Sequence, residues 1–246
     1  MNIGVIFAGG VGKRMGSKDR PKQFLEIFNK PIIIYTLEHF EKHPEIDAIV
    51  IACVRDYIDY LQKLIDRFAL KKVRKIVPGG ESGQLSIYNG LCAAKEISGD
   101  EKSIVLIHDG VRPLIDEKTI TDNLRSVEEK GSAITAVLQT ETIVVVDDRE
   151  EVLESPERSS LRIARAPQSF YLDDILANHR KALQENRTDF TDSCCLMRHY
   201  GFKCHTVVGP SENIKITTPD DYYSLRAILE AKENAQIYGM DGETWK

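Results

Sequence analysis

No apolar run in the chain approaches the roughly 18 residues that span a bilayer. The first ten residues, MNIGVIFAGG, have neither a basic leader nor a clean cleavage site. A first strand is therefore expected there in place of a signal peptide, in a cytoplasmic protein. Cysteine is scarce and unpatterned: Cys53, Cys92, Cys194, Cys195 and Cys204 are odd in number and form no CxxC pair, which argues against a disulfide framework or a zinc cage. The adjacent Cys194 and Cys195 would point about 100° apart on a helix, so packing accounts for them better than redox or metal chemistry. Excess basic charge is missing too; a net charge of -5 excludes a generally basic nucleic-acid surface. Repeats and low-complexity segments are absent. With 42% hydrophobic, 29% charged and 7% aromatic residues the composition is that of an ordinary globular protein. Its 246 residues, at about 150 per domain, suit one large domain with ample core.

What is present is organised. Residues 1–30 hold six cations, Lys13, Arg14, Lys18, Arg20, Lys22 and Lys30, against Asp19 and Glu26, a balance of +4 that leaves -9 for the remainder. Apolar runs alternate with amphipathic stretches from the start. Strands are expected near residues 2–8, 48–54, 73–77 and 103–108, with helices near 31–43, 57–68, 86–97 and 117–130. Unbroken Val and Ile runs such as SIVLIH suit parallel strands covered on both faces, and the rhythm implies an α/β fold with a doubly wound, mostly parallel sheet. The rhythm breaks at residues 142–155, TIVVVDDREEVLES, where an acidic turn between two β-prone arms suggests a projecting hairpin. Helices near 172–185, 192–200 and 219–234 and strands near 204–208 and 213–217 follow, and residues 235–246 read as a frayed tail.

Three clusters could carry chemistry. AGGVGKRMG, residues 8–16, follows the first strand, where glycines admit a phosphate ester to the backbone and Lys13 and Arg14 could neutralise it. Neither familiar phosphate fingerprint is satisfied: GxGxxG meets Met15, and GxxxxGK[ST] meets Phe7 and Arg14. A plain turn with a solvated basic rim is the competing reading. HDGVRP, residues 108–113, ends a buried strand, the position at which open α/β sheets bind ligands. Asp109 and Arg112 could meet an anion and its magnesium ion there, or simply close a turn before Pro113, and His108 is expected to be a turn or core histidine. In SENIKITTPDD, residues 211–221, Lys215 is expected on a four-residue strand with Ile214 and Ile216 facing the other way; a lysine so placed needs an anion or a cleft. Asp220 and Asp221 suit the first turn of the next helix. GGESGQLS, residues 79–86, is a further glycine-rich turn into a helix.

AGGVGKRMG, PKQF, the GG ahead of SIYNG, HDGVRP, APQSF, TDSCC and NIKIT stand in this order between residues 8 and 217. Together they resemble the cytidylyltransferases that attach CMP to a sugar-alcohol phosphate. That family makes CDP-methylerythritol for isoprenoid synthesis and CDP-ribitol for teichoic acid or capsule polymers. The resemblance implies one Rossmann-like nucleotidyltransferase domain over residues 1–234, CTP as substrate with Mg2+, and a homodimer joined through an arm at about residues 142–158. It assigns Arg14, Lys22 and Lys215 to transition-state charge. Nucleotide contacts fall to Ala8, Gly9, Gly10, Gly12, Lys13, Gly80, Glu81, Ser86 and Gly110. Acceptor contacts fall to Asp109, Arg112 and Thr191, with Thr142 and Arg158 reaching from a second copy, and Asp109 is the metal contact. Gly83 stands where relatives commonly have a cation. FAGG, HDGVRP and TDSCC resemble the ribitol 5-phosphate branch more than the methylerythritol branch, whose loops read PAAG and HDAARP. Methylerythritol phosphate is the alternative acceptor, and a nucleotide-binding regulator without turnover is the alternative class.

Overall fold

A computed structural model describes residues 1–10 and 20–238. In chain order the elements begin with β1 (Asn2–Ala8), the small pair β2 (Glu26–Ile27) and β3 (Lys30–Pro31), α1 (Ile32–Lys42) and β4 (Ala48–Cys53). Next come α2 (Ile58–Arg67), β5 (Val73–Pro78), α3 (Gly83–Ser98), β6 (Ile104–Asp109), α4 (Glu117–Lys130) and β7 (Ser132–Leu138). The last third holds β8 (Val145–Val146), β9 (Val152–Glu154), β10 (Arg162–Tyr171), α5 (Leu172–Gln184), α6 (Ser193–His199), β11 (Thr206–Val208) and α7 (Pro219–Tyr238).

Seven strands form one sheet in the order β11-β7-β10-β6-β1-β4-β5. All neighbours are parallel except β10, which runs antiparallel to both β6 and β7. Side chains alternate across a strand, and the core divides accordingly. Ile104 and Leu106 join Phe40 of α1, Leu61 of α2 and Leu124 of α4 on one face. Val105 and Ile107 join Leu91 of α3, Ile175 of α5 and Met197 of α6 on the other. A third cluster seats α7 through Leu225 against Ile32, Val111 and Ile216. Successive strands leave β1 in opposite directions, β4 on one side and β6 on the other. A crevice at the carboxyl ends of β1 and β6 is the consequence.

The hairpin is present as β8 and β9, its tip turned by Asp147, whose Oδ1 accepts from the amides of Arg149 at 2.8 Å and Glu151 at 3.0 Å. Three expectations need correction. Residues 213–217 form no strand: Ile216 donates to the Val111 carbonyl at 2.9 Å, one backbone bond to the turn after β6 in place of a ladder. The final helix runs to Tyr238, four residues into the stretch expected to fray. And β7 and β10 were not foreseen. Pro167 sits inside β10, where a proline argues against a central strand; it is accommodated because the pairing with β7 shifts register between Ala164 and Gln168, a bulge that releases the ladder there.

Candidate active site

Two cavities open at the crevice. The first, of 580 Å³, is lined by Ala8, Gly9 and Gly10, by Gly80, Glu81 and Ser86, and by Lys22, Asp109 and Lys215. Its walls are close-packed backbone. A Cβ on Gly9 would lie 2.7 Å from Ser86 Oγ, and one on Gly80 would lie 2.4 Å from Leu85 Cβ, so neither position tolerates a side chain without displacing the turn. Ser86 Oγ accepts from the Gly80 amide at 3.0 Å and donates to the Ser82 carbonyl at 2.9 Å, while Ser82 caps α3 by accepting from Leu85 N. Across the cavity Gln23, buried in PKQF, donates to the carbonyls of Ala8 at 2.7 Å and Gly10 at 3.2 Å. That glutamine holds the end of β1 in place.

The second cavity, of 420 Å³, continues from the first through Phe7, Ser82, Gly83, Asp109 and Lys215, which line both. Arg112, Arg165, Gln168, His179 and Thr191 line the second cavity alone. Asp109, 7% exposed, pairs with Lys215 Nζ at 2.6 Å through Oδ1 and with Arg112 Nε at 2.9 Å through Oδ2. Burial alone would raise its pKa, but the charges of Lys215 and Arg112 outweigh it and hold the carboxyl below the usual range. Arg112 also donates through Nη1 to the Asn213 carbonyl at 2.9 Å. His108 is the turn histidine expected: fully buried, with Nε2 3.1 Å from the Arg112 carbonyl, its pKa pushed down to about 4 by burial. At the start of α7, Asp221 Oδ2 accepts from Thr217 N at 2.8 Å and Thr218 N at 2.7 Å, a cap whose charge also lies near Lys22.

The expected residues are therefore largely gathered, with stated exceptions. Gly12, Lys13 and Arg14 lie outside the described residues. Gly110 lies beneath the first cavity and not in its wall; its Cβ position would be 3.1 Å from Ala8 Cβ, and its carbonyl accepts from Thr36 Oγ1 at 3.2 Å. Thr142 and Arg158 pair with each other at 3.2 Å on the exposed arm and line neither cavity. Sequence reasoning did not single out Gln84, Arg165, Gln168 or His179. Gln84 ties α3 to residues 187–190, donating to the Arg187 carbonyl at 2.8 Å and accepting from Phe190 N at 3.0 Å. Gln168 bonds Asp192 Oδ2 at 2.9 Å and Cys194 N at 2.8 Å, so the APQSF and TDSCC segments build one wall together. The polar residues recurring inside otherwise apolar motifs were the available signal.

A strand-end crevice with two confluent cavities, joined at an ionised carboxylate and a lysine, is the architecture of a transferase that brings a nucleotide against a second anion. Residues 3–231 match the model of the 2-C-methyl-D-erythritol 4-phosphate cytidylyltransferase (IspD) family, and the chain belongs to that family of nucleotidyltransferases. It is 53% identical over 240 residues to a protein named ribitol-5-phosphate cytidylyltransferase from Streptococcus agalactiae serotype III, covering 98% of this chain and 100% of the relative. To a 2-C-methyl-D-erythritol 4-phosphate cytidylyltransferase from Clostridium botulinum it is 40% identical, over 93% of this chain and 97% of the relative. The crystal structure of 4-diphosphocytidyl-2C-methyl-D-erythritol synthase from Anaerococcus prevotii superposes with a TM-score of 0.81 at 27% identity, over 93% of this chain and 96% of the other.

Proposed function

We propose that the protein transfers CMP from CTP to the phosphate of an open-chain polyol, ribitol 5-phosphate, and releases pyrophosphate. The observation that carries this reading is the confluence of the two cavities at Asp109 and Lys215. The backbone-walled cavity takes CTP. The close packing at Gly9 and Gly80 supports the smaller pyrimidine ring, and polar edges on a base left unpaired there are costly. The acceptor enters the second cavity, where Thr191 and Asp109 bind hydroxyls and Arg112 faces the phosphate.

An acceptor phosphate oxygen attacks the α-phosphorus, the bond to the bridging oxygen breaks in line, and that oxygen leaves with pyrophosphate. No general base is needed, because a phosphate monoester is already ionised near neutral pH. The protein's work is positioning and charge. Lys215 meets the α-phosphate, and Lys22 and Arg14 meet the triphosphate. Asp109 holds Lys215 between the two substrates until they arrive.

Among the described residues no three acidic, histidine or cysteine side chains cluster as a metal cage. An ionised, buried carboxylate at the junction nevertheless suits a hard cation brought in by the triphosphate. Asp109 is the residue that would hold Mg2+, whose charge neutralises phosphate oxygens. The arm supports a homodimer: Val152 is 63% and Leu153 65% exposed, an apolar surface that a two-stranded hairpin does not keep in water unpaired. Thr142 and Arg158 would then complete the acceptor cavity of the second copy. No described helix is long and apolar enough to cross a membrane.

Pyrophosphate release from CTP and Mg2+ with ribitol 5-phosphate or methylerythritol 4-phosphate tests the acceptor. A higher kcat/KM for ribitol 5-phosphate is expected; a tenfold preference for methylerythritol phosphate moves the chain to the other branch. No release with any polyol phosphate, with CTP still bound, leaves a nucleotide-binding regulator. Deleting residues 147–151 should give a folded monomer with weak acceptor binding, and a wild-type monomer at tens of micromolar by sedimentation removes the shared site.

A further inference from the structure

The cations of the acceptor cavity differ in what they hold. Arg112 is committed to Asp109 and to the Asn213 carbonyl, and Lys215 to Asp109. Arg165 is committed to nothing: no hydrogen bond or ion pair joins it to any described residue, and its Nη1 is buried without a partner. Burial and the neighbouring charge of Arg112 both push its pKa down. A guanidinium cannot shed its proton to escape that position, and a buried donor without an acceptor is a standing cost. Two like charges in one cavity compound it. The three acids lining that cavity do not relieve it: Asp109 is paired with Arg112 and Lys215, Asp192 is occupied by Gln168 and by Cys195 N, and Asp189 is exposed.

The backbone shows how the side chain is aimed. Arg165 lies within the register shift of β10 between Ala164 and Gln168, and such bulges redirect a side chain away from the ladder. Here it points into the second cavity and is absent from the walls of the first. Its missing partner is therefore an anion that enters the acceptor cavity and not a nucleotide phosphate.

We infer that Arg165 is a substrate-binding residue that grips the phosphate of the acceptor, forming with Arg112 a two-arginine clamp. The inference rests on the reading of the second cavity as the acceptor site. A phosphate monoester offers three oxygens to paired planar forks, and the clamp leaves Lys215 to the α-phosphate. Arg165 thereby sets both the affinity for phosphorylated acceptors and the rejection of uncharged polyols.

The test compares wild type with R165M, R165Q and R165K in steady-state pyrophosphate release, varying ribitol 5-phosphate and CTP separately. R165M should raise the acceptor KM by about 10- to 100-fold, the effect of losing a hydrogen bond to a charged group, while the CTP KM stays within about twofold. R165K should recover part of the loss, since a point charge replaces a fork. Without ligand, R165M should melt no lower than wild type, because an unpaired buried charge has been removed; a structural arginine would show the opposite. An unchanged acceptor KM, or a CTP KM that rises equally, overturns the inference. If wild type turns over no polyol phosphate, the acceptor reading has failed, and inorganic phosphate then probes Arg165 alone. Thermal stabilisation by phosphate that is lost in R165M upholds the anion site, and stabilisation equal in both removes it. Should R165M not fold, R165Q and R165K give the same readouts.

Discussion

The two cavities meet at Asp109 and Lys215 yet are built from different material. The first is walled by backbone, where Gly9 and Gly80 pack against Ser86 and Leu85 at distances no side chain permits. The second is walled by side chains from β6, β10, α5 and the segment before α6, and its character is set by charges and by what each is paired with. On the proposed reading, the rigid glycine wall suits the ligand portion common to every turnover, the nucleotide. Side chains that can be exchanged one at a time suit the portion that varies among relatives, the acceptor.

The two lysines proposed to meet the phosphates should give the largest effects; Lys215 lines both cavities and Lys22 the first. Lys215→Ala and Lys22→Ala are each expected to lower kcat by about 100- to 1000-fold, the loss typical when one fixed stabiliser of transition-state charge is removed. Circular dichroism and melting should show the fold intact. Near-normal turnover at saturating CTP in either variant would break the assignment of that lysine to chemistry.

Next in size is a change confined to the backbone-walled cavity. Gly80→Ala forces its new methyl against Leu85 and must shift the first turn of α3, an overpacking strain of about 1–3 kcal/mol. The CTP KM should rise about tenfold on that scale, with the acceptor KM little altered. Gly83→Ala, open at its Cβ position and inside α3, should instead stay within about threefold and add helix propensity. If both glycines behave alike, close packing is not what shapes the nucleotide wall.

The contrast also explains what was legible beforehand. Glycines beside a strand end are visible in local sequence, so the AGG turn stood out as a ligand candidate by itself, whereas the GG turn at Gly80 was tied to the nucleotide only through the family resemblance; both turns line the first cavity. Most strands and helices were legible for the same reason: buried parallel strands and amphipathic helices impose a local period. The antiparallel β10 was hidden because its period is interrupted at Pro167, and with it went Arg165 and Gln168, whose places depend on a bulge. Lys215 was expected on a strand because Ile214 and Ile216 alternate with it. The alternation is real, since Ile216 is buried and Lys215 is exposed, but a backbone bond to Val111 enforces it without a sheet neighbour. Side-chain partners recruited from distant segments leave no local period to read.

The smallest expected effect separates the cavities by pH. His179 lines the acceptor cavity, is 1% exposed, and has no partner at either ring nitrogen. Burial lowers its pKa to about 4, as it does for His108. Unfolded, both return to about 6.5. Between about pH 6.5 and 4 the unfolded chain therefore binds more protons than the folded one, and stability must fall as the solution is acidified. The depressed carboxyl of Asp109 works at lower pH: its contribution is present above the ordinary carboxylate pKa and is lost as pH falls through its folded value. His179→Leu removes one proton-binding group from the upper window without removing a hydrogen bond. Its melting temperature should match or exceed that of wild type at pH 5 and decline less steeply between pH 6.5 and 5. Among the described residues the walls of the first cavity contain no histidine, so this dependence on pH belongs to the second cavity alone, and CTP binding between pH 6.5 and 5 should be the same in His179→Leu as in wild type. A melting profile as steep as wild type in the variant would show that His179 is protonated in the folded protein, with a partner inside the acceptor cavity.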